Sequence, residues 1–414
     1  MSATPLPATR APLRIYLGAF GQPGHAFPML ALGRRLAQRG HEVTYETWER
    51  WRPHVVAAGM EFVAAPEYPT PAGRAWTISA YEAAARAAPS TLAAIRASHT
   101  QIVVHDILTL APAFAAELEG IPAATLVPHL YPVGAPGLAP YSSGARLPRT
   151  RAGRRLWWLF ERPLRSGLEL GREQLNAARR EVGLPATGEL HGGLSTQLCL
   201  VATFPQLEYP RIWPEHVHVV GPILWEPPAS GAPVLRTGAP LALIAPSTSH
   251  DPDHRLLRAA LTGLRGLELD GRRLQVLAAL DNRPAARPIR AGFDARLVNW
   301  ISYTQAMSEA SLVICHGGHG TIARALERGV PVLAVPHSGD MAENAARLDW
   351  SGTGVRLPWR LLRPATVRLA ALHALGEHQR LAANAAGLAA WAEANDGATR
   401  AAELIERALT RAPG

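Results

Sequence analysis

The residues best suited to chemistry lie in one short stretch, 311–321, which reads Ser-Leu-Val-Ile-Cys-His-Gly-Gly-His-Gly-Thr. Its apolar start predicts a buried strand, and the pattern after the glycines predicts a helix. A strand that enters a helix through a Gly-rich turn presents unpaired backbone N–H groups at the positive end of the helix dipole. Such a turn binds anions, above all a diphosphate. His316 and Thr321 can each donate a further hydrogen bond.

A second candidate lies on the first loop of the chain, where Gly24 and His25 follow a short apolar run. The loop lacks the G-x-G-x-x-G spacing, so we expect no NAD site there. A His on such a loop is either a surface or capping residue or a general base. The base needs a carboxylate that holds its other ring nitrogen. Asp106 is the candidate carboxylate, and its alternative role is to cap the following helix.

Composition bounds the class of protein. A chain of 414 residues with 48% hydrophobic residues fits two globular domains. We find neither an apolar run long enough to span a membrane nor a signal peptide. Cys199 and Cys315 both lie in apolar runs and predict inert core residues rather than a disulfide or a metal site. We therefore expect a reducing, cytoplasmic location.

The formal net charge is +9, and every basic residue is an arginine. A basic balance suits an anionic substrate such as a nucleotide diphosphate. Nucleic acid is the rival interpretation. The arginines are scattered singly and in pairs, without a basic-aromatic module, so we expect no nucleic-acid partner.

Apolar runs alternate with helical patterns in both halves of the chain, which predicts parallel sheets. A segment rich in Pro and Gly interrupts the rhythm and predicts a linker. We expect an α/β protein with two doubly wound Rossmann-like domains that face each other across a cleft. The predicted parts are a first domain at 1–205, a linker at 206–240, a second domain at 241–385 and a final helical segment at 386–414.

Four motifs in order resemble the donor-binding signature of glycosyltransferase family 1. They are His316-Gly-Gly-His-Gly-Thr321, Gly329-Val-Pro331, Asp340 and Asn344-Ala345. The run Val104-His-Asp-Ile-Leu-Thr109 is similar to a segment of bacterial macrolide and polyketide glycosyltransferases. The resemblance implies the two-Rossmann-domain (GT-B) fold, with the acceptor on the first domain and the nucleotide-sugar on the second. It also implies that the final helix crosses back to the first domain.

The resemblance implies an inverting single displacement. His25 takes the proton of an acceptor hydroxyl, Asp106 orients His25, and the nucleotide diphosphate leaves. No cofactor or metal is expected, since the helix terminus stabilises the leaving group. The implied diphosphate site comprises His316, Gly317, Gly318, Gly320, Thr321, Ser247 and Thr248. The implied nucleobase and ribose positions are Trp300, Ile301 and Arg324, and the donor-sugar positions are Asp340 and Met341. Ser247 and Thr248 could instead be a capping cluster, and Trp300 a core residue.

Two positions depart from the family pattern. Met341 stands where members that use fully hydroxylated sugars carry Gln, and Met cannot bond to sugar hydroxyls. Arg324 stands where plant members carry a Glu that binds both ribose hydroxyls. A deoxyribose lacks one of these hydroxyls. We therefore expect a dTDP-deoxysugar donor rather than a UDP-sugar.

Aromatic residues in irregular segments of the first half are candidates for an apolar acceptor pocket. They are Phe20, Trp76, Tyr81, Tyr131, Tyr141 and Trp157. The basic and aromatic segment 151–165 is interpreted as an acceptor-pocket wall or a partner contact, with a membrane-surface helix as the alternative.

Two other functions stay open at this point. The departures at Met341 and Arg324 would also fit a non-catalytic homologue that partners an active transferase. A nucleotide-sugar 2-epimerase shares the fold. We expect a sugar donor and an apolar aglycone as small-molecule partners, without stable membrane insertion. The sequence leaves a homodimer or a helper protein open.

Overall fold

The computed structural model describes residues 11–68, 78–228, 238–246, 251–280, 285, 287–337 and 339–410. The first half contains β1 (Arg14–Gly18), α1 (Pro23–Gln38), β2 (Glu42–Thr47), α2 (Arg52–Ala57), β3 (Glu61–Ala64), α3 (Ala80–Ala97), β4 (Ile102–Asp106), α4 (Ala111–Glu119), β5 (Ala123–Val127), α5 (Arg151–Trp158), α6 (Glu161–Glu181), β6 (Leu198–Val201) and β7 (Val217–Val219).

The second half follows the same alternation and ends in three helices. It contains β8 (Leu241–Ala245), α7 (Arg255–Gly263), β9 (Glu268–Leu269), β10 (Arg272–Arg273), β11 (Gln275–Ala279), β12 (Ala295–Val298), α8 (Tyr303–Ser308), β13 (Leu312–Cys315), α9 (His319–Glu327), β14 (Val332–Ala334), α10 (Asp340–Ser351), β15 (Gly354–Arg356), α11 (Pro364–Gly376), α12 (His378–Ala394) and α13 (Gly397–Thr410).

Each half is built on a parallel sheet. Within the described ranges, the first sheet has the strand order β3-β2-β1-β4-β5-β6-β7, and the second has the order β12-β11-β8-β13-β14-β15. Strands such as Leu241–Ala245 and Leu312–Cys315 are buried along their whole length, as expected for a sheet covered by helices on both faces. The predicted pair of doubly wound α/β domains is confirmed.

The strand order reverses once in each sheet, and these reversals position the site. In the first sheet the reversal lies between β1 and β4, and in the second between β8 and β13. Ligands of open α/β sheets bind at the carboxyl ends of the strands at such a point. Asp106 is the last residue of β4, His25 follows β1, and the Gly-rich turn follows β13.

The domain connections differ in detail from the predicted boundaries. β7 lies within the predicted linker 206–240, yet it pairs with β6 and completes the first sheet. Pro and Gly around it obscured this three-residue strand. The chain returns to the first domain after α12, later than 386. Ala401, Ala402 and Ile405 of α13 are then buried in the core of the first sheet.

Among the helices of the described ranges, none has the length and apolar content that a membrane crossing requires.

Candidate active site

The dyad candidates meet at the carboxyl edge of the first sheet. His25 Nδ1 lies 2.8 Å from Asp106 Oδ1, and Asp106 is the last residue of β4. The prediction placed His25 on a loop before a helix. It lies instead in the first turn of α1, because Pro23 fits the start of a helix. Asp106 Oδ2 accepts a hydrogen bond from the backbone N–H of Leu108 at 3.3 Å. The carboxylate therefore both holds His25 and ties down its own loop.

The surroundings of His25 shift its titration. Burial lowers the pKa of His25, but the neighbouring carboxylates of Asp106 and Asp340 raise it, and the net pKa lies above its ordinary value of 6.5. With Nδ1 directed at Asp106, Nε2 is the ring nitrogen left for a substrate proton. This is the arrangement of a general base.

His129, which the sequence analysis missed, lies next to the dyad. Its ring centroid is 6.5 Å from that of His25, and its Nδ1 is 3.2 Å from the hydroxyl of Tyr141. Burial is the main cause of a lowered pKa at His129, so the neutral ring is favoured. Asp340, from the second domain, acts electrostatically on both histidines. Residues of both domains thus converge at one point.

The Gly-rich turn opens α9 as the sequence suggested. Gly318 is the N-cap residue and has no side chain that could bond to the first turn of the helix. Gly317 has φ +90°, and a Cβ there would lie 3.1 Å from the carbonyl oxygen of Met341. Asn344 Nδ2 donates to the carbonyl of Gly317 at 3.0 Å and fixes the turn. Gly320 and Thr321 fall inside the first turn of α9. The turn therefore presents its N–H groups as an anion site requires.

His319 is a further residue of this turn that the motif alone did not explain. Its Nε2 lies 2.9 Å from Thr203 Oγ1 of the first domain, and burial lowers the pKa of His319 to about 3. A neutral His319 thus joins the donor turn to the end of the first sheet.

The predicted nucleobase and ribose residues separate into two groups. Trp300 follows β12 and is 37% exposed, so its ring is accessible to a base. Ile301 is buried in the core and can contribute only through its backbone. The Arg324 guanidinium donates to Thr304 Oγ1 at 2.8 Å and to the carbonyl of Trp225 at 2.9 Å.

Arg324 also lies near a carboxylate that the sequence analysis missed. Its guanidinium is 3.6 Å from Glu226 Oε2, which arrives from the linker. Arg324 therefore links the second domain to the linker. The same residue stands at the position where the resemblance implies contact with the ribose.

The donor-sugar candidates lie at the start of α10. Asp340 begins the helix, and Met341 is buried beside Gly317. An apolar group consequently stands next to the Gly-rich turn. Among the described residues, no cluster of His, Cys, Asp or Glu is arranged to hold a metal ion. Metal independence stays a prediction.

An apolar cavity of about 300 Å³ opens beside the dyad in the first domain. Its lining includes the large side chains of Phe20, Trp48, Tyr68, Ile78, Leu108 and Leu110, together with alanines of α3. The ring of Phe20 also contacts His25 edge to face, with centroids 6.1 Å apart. Glu46 is the charged residue of the lining and was not predicted.

Four of the described aromatic candidates for the acceptor pocket are not in this lining, and three of them lie elsewhere in the first domain. Tyr81 packs with the cluster between α3 and α6. Tyr131 is buried against Trp213. Trp157 lies on α5, a helix without buried residues, and its ring contacts that of Phe160. Composition cannot show which side of an element an aromatic residue faces, and the assignment of these residues to the acceptor pocket stays a prediction.

The remaining predicted site residues are Tyr141, Trp76, Ser247 and Thr248. The hydroxyl of Tyr141 lies 3.2 Å from Nδ1 of His129, the residue next to the dyad. Trp76, Ser247 and Thr248 lie outside the described residues.

Comparison with known proteins decides the class. Residues 273–407 match the family model described as "Erythromycin biosynthesis protein CIII-like, C-terminal domain". The chain is 27% identical to 4'-demethylrebeccamycin synthase of Lentzea aerocolonigenes, over 92% of this chain and 96% of that protein. It is 29% identical to O-mycaminosyltylonolide 6-deoxyallosyltransferase of Streptomyces fradiae, over 83% and 85%.

The chain is a glycosyltransferase. Its fold is similar to the glycotransferase of kitacinnamycin, with a TM-score of 0.74 at 21% identity over 96% of this chain and 99% of that chain. It is also similar to the spinosyn rhamnosyltransferase SpnG complexed with thymidine diphosphate, with a TM-score of 0.70 at 19% identity over 95% and 100%. The predicted GT-B fold and the resemblance to glycosyltransferase family 1 enzymes of natural-product biosynthesis are confirmed.

Proposed function

We propose that this glycosyltransferase moves a deoxysugar from a dTDP-sugar to a hydroxyl of an apolar natural-product acceptor, with inversion and without a metal. His25 Nε2 takes the proton of the acceptor hydroxyl. The hydroxyl oxygen bonds to the anomeric carbon as the bond from that carbon to the diphosphate oxygen breaks. The proton stays on the imidazolium until solvent removes it, and dTDP leaves.

The observation that carries this proposal is the 2.8 Å contact between His25 Nδ1 and Asp106 Oδ1. A carboxylate at Nδ1 selects the tautomer that leaves Nε2 basic and stabilises the imidazolium that forms. A partner protein without activity would have no use for this pair. The adjoining apolar cavity supports an apolar acceptor.

Charge develops on the leaving diphosphate in the transition state. The first turn of α9, whose N-cap residue is Gly318 and which contains Thr321, is suited together with His316 to stabilise that charge by hydrogen bonds and the helix dipole. These groups would make a divalent cation unnecessary. We propose that Trp300 stacks on the thymine.

Two departures from the family pattern support the donor assignment. Met341 adds an apolar surface beside the diphosphate turn, which suits a sugar that lacks hydroxyls. Arg324 replaces a ribose-binding carboxylate, and its guanidinium is bonded within the protein. Relatives named as a 6-deoxyallosyltransferase and a rhamnosyltransferase complexed with thymidine diphosphate are consistent with the same donor class.

Turnover with a panel of nucleotide-sugars tests the proposal. dTDP-rhamnose, dTDP-glucose and UDP-glucose are each incubated with 2-naphthol and the chain in EDTA, and products are followed by mass spectrometry. We expect transfer from dTDP-rhamnose, loss of about 10²–10⁴-fold in kcat for His25→Ala, and an inverted anomeric centre by NMR. Transfer only after Mg²⁺ is added would contradict metal independence, and retention of configuration would contradict inversion. A preference for UDP-glucose would contradict the dTDP-sugar donor.

A further inference from the structure

Glu46 occupies an unusual place for a carboxylate. It lies near the end of β2, where it is in register with Gly18 of β1, and it is 4% exposed. It belongs to the lining of the apolar cavity beside the dyad. Alanines of α3, among them Ala83, Ala84 and Ala87, supply the neighbouring wall. A charge in such a place is costly unless a partner compensates it.

The described partners of Glu46 are uncharged hydroxyls. Tyr16 Oη donates to Oε2 at 3.0 Å, and Thr91 Oγ1 lies 3.0 Å from Oε1 and 3.1 Å from Oε2. Two hydroxyls supply two protons, whereas an ionised carboxylate offers about four acceptor positions. Among the described residues, no cationic side chain forms an ion pair with Glu46.

Burial has a measurable consequence at this position. It raises the pKa of Glu46 to about 7, although the two hydroxyl donors act in the opposite direction. The carboxyl group is thus held at the edge of ionisation, and a cation that entered the cavity would complete its ionisation. A purely structural tie between β2 and α3 would need only an amide or a hydroxyl, which does not carry this desolvation cost.

We infer that Glu46 is a specificity-determining residue that receives a protonated amine on the acceptor. The acceptor would then have an apolar body that fills the cavity, a hydroxyl at the His25 end and a basic nitrogen at Glu46. This inference rests on the proposed function, because it assumes that the cavity holds the acceptor. It narrows the acceptor class to amphiphilic amines.

Calorimetric binding of three probes with one ring system tests the inference without turnover. The probes are naphthalen-2-ylmethylamine, naphthalen-2-ylmethanol and 2-naphthoate, which place a cation, a neutral donor or an anion on the same body. For the wild-type chain at neutral pH we expect the amine to bind at least about tenfold more tightly than the alcohol, and the naphthoate most weakly. A charge-assisted hydrogen bond in a buried site supports a difference of this size.

Glu46→Gln keeps the shape and an acceptor oxygen but removes the charge. We expect it to abolish the preference for the amine while the alcohol binds as before. Glu49→Gln is the matched control, because it removes an exposed carboxylate outside the cavity lining. It should leave all three affinities unchanged. A cooperative thermal unfolding transition close to that of the wild type verifies that each variant is folded.

Two results would overturn the inference. Equal binding of amine and alcohol by the wild-type chain would mean that the carboxyl is neutralised within the protein, and this result needs no variant to fold. Persistence of the amine preference in Glu46→Gln would mean that another group receives the amine. Sugar transfer without an amine preference would sink this inference alone, whereas an amine preference without any transfer would instead weaken the proposed function.

Discussion

The donor side and the acceptor side of this enzyme are built in opposite ways. The donor candidates on one side of the cleft fall largely within 316–344, and the family model matches the surrounding residues 273–407. The apolar cavity on the other side draws its lining from five separate stretches between residues 19 and 111. The proposed diphosphate recognition uses backbone N–H groups of one turn, which requires glycines at fixed spacing. An apolar cavity requires only volume and shape, so its residues leave no contiguous motif.

The largest effect is expected for a change in the dyad of His25 and Asp106, which belongs to the acceptor side. Asp106→Asn removes the charge that raises the pKa of His25. We expect kcat/KM to fall by about 10²-fold or more.

The pH profile of this variant gives a second readout. A base must be neutral to act, so activity rises as pH increases through the pKa of His25. Because that pKa falls in Asp106→Asn, the rise should move to lower pH. A profile that keeps its wild-type midpoint would show that His25 is not the titrating base.

The donor turn offers the next largest effect. Gly318 has an extended backbone conformation that any residue can adopt, but a Cβ there would overlap the His316 ring. We expect Gly318→Ala to displace this ring and weaken dTDP binding by about 10–100-fold, the range of a lost charge-assisted hydrogen bond. Gly387→Ala, on α12, is the control, since its Cβ would meet no protein atom and Gly387 is not a candidate for donor binding. Calorimetry that gives both variants the same dTDP affinity would exclude His316 from diphosphate binding.

A smaller effect is expected where the donor side recognises the sugar. Met341→Gln replaces an apolar side chain with an amide that can bond to hydroxyls. We expect the ratio of kcat/KM for dTDP-glucose over dTDP-rhamnose to rise by about three- to tenfold. An unchanged ratio would remove Met341 from the donor argument and leave Arg324 as its remaining support.

The smallest effect concerns α13, which follows the donor domain in sequence but packs on the acceptor domain. Glu406 accepts hydrogen bonds from Arg39 at 2.7 and 2.8 Å and contacts His41 at 2.9 Å. The pKa of Glu406 is lowered to about 2, chiefly by the hydrogen bonds from Arg39. Glu406→Gln should lower Tm by roughly 2–4 °C at neutral pH.

The pH dependence of this difference checks its origin. A lowered carboxyl pKa stabilises the fold above its ordinary value of 4.5, and this contribution is lost as pH falls toward 2. The Tm difference between wild type and Glu406→Gln should shrink over that range. A difference that is constant with pH would point to altered packing instead.

Much of the architecture could be predicted from the sequence, because buried parallel strands leave apolar runs between helical patterns. The motif around His316 was found for the same reason, because it follows such a run directly. Asp106 stands at the end of another run, and His25 follows the first run after a short Gly-rich stretch. β7 was missed since it is only three residues long and lies among prolines. Glu46, His129 and Glu226 were missed because their importance depends on neighbours far away in the chain.

The central claim is that the two sides divide the work: the second domain binds the nucleotide and the first supplies the base. Calorimetric titration of dTDP and UDP into wild type, His25→Ala and His316→Ala, all in EDTA, tests it most directly. We expect wild type and His25→Ala to bind dTDP equally and more tightly than UDP, and His316→Ala to bind dTDP about 10–100-fold more weakly. Equal dTDP affinity of His316→Ala and wild type, or strong weakening in His25→Ala, would contradict this division.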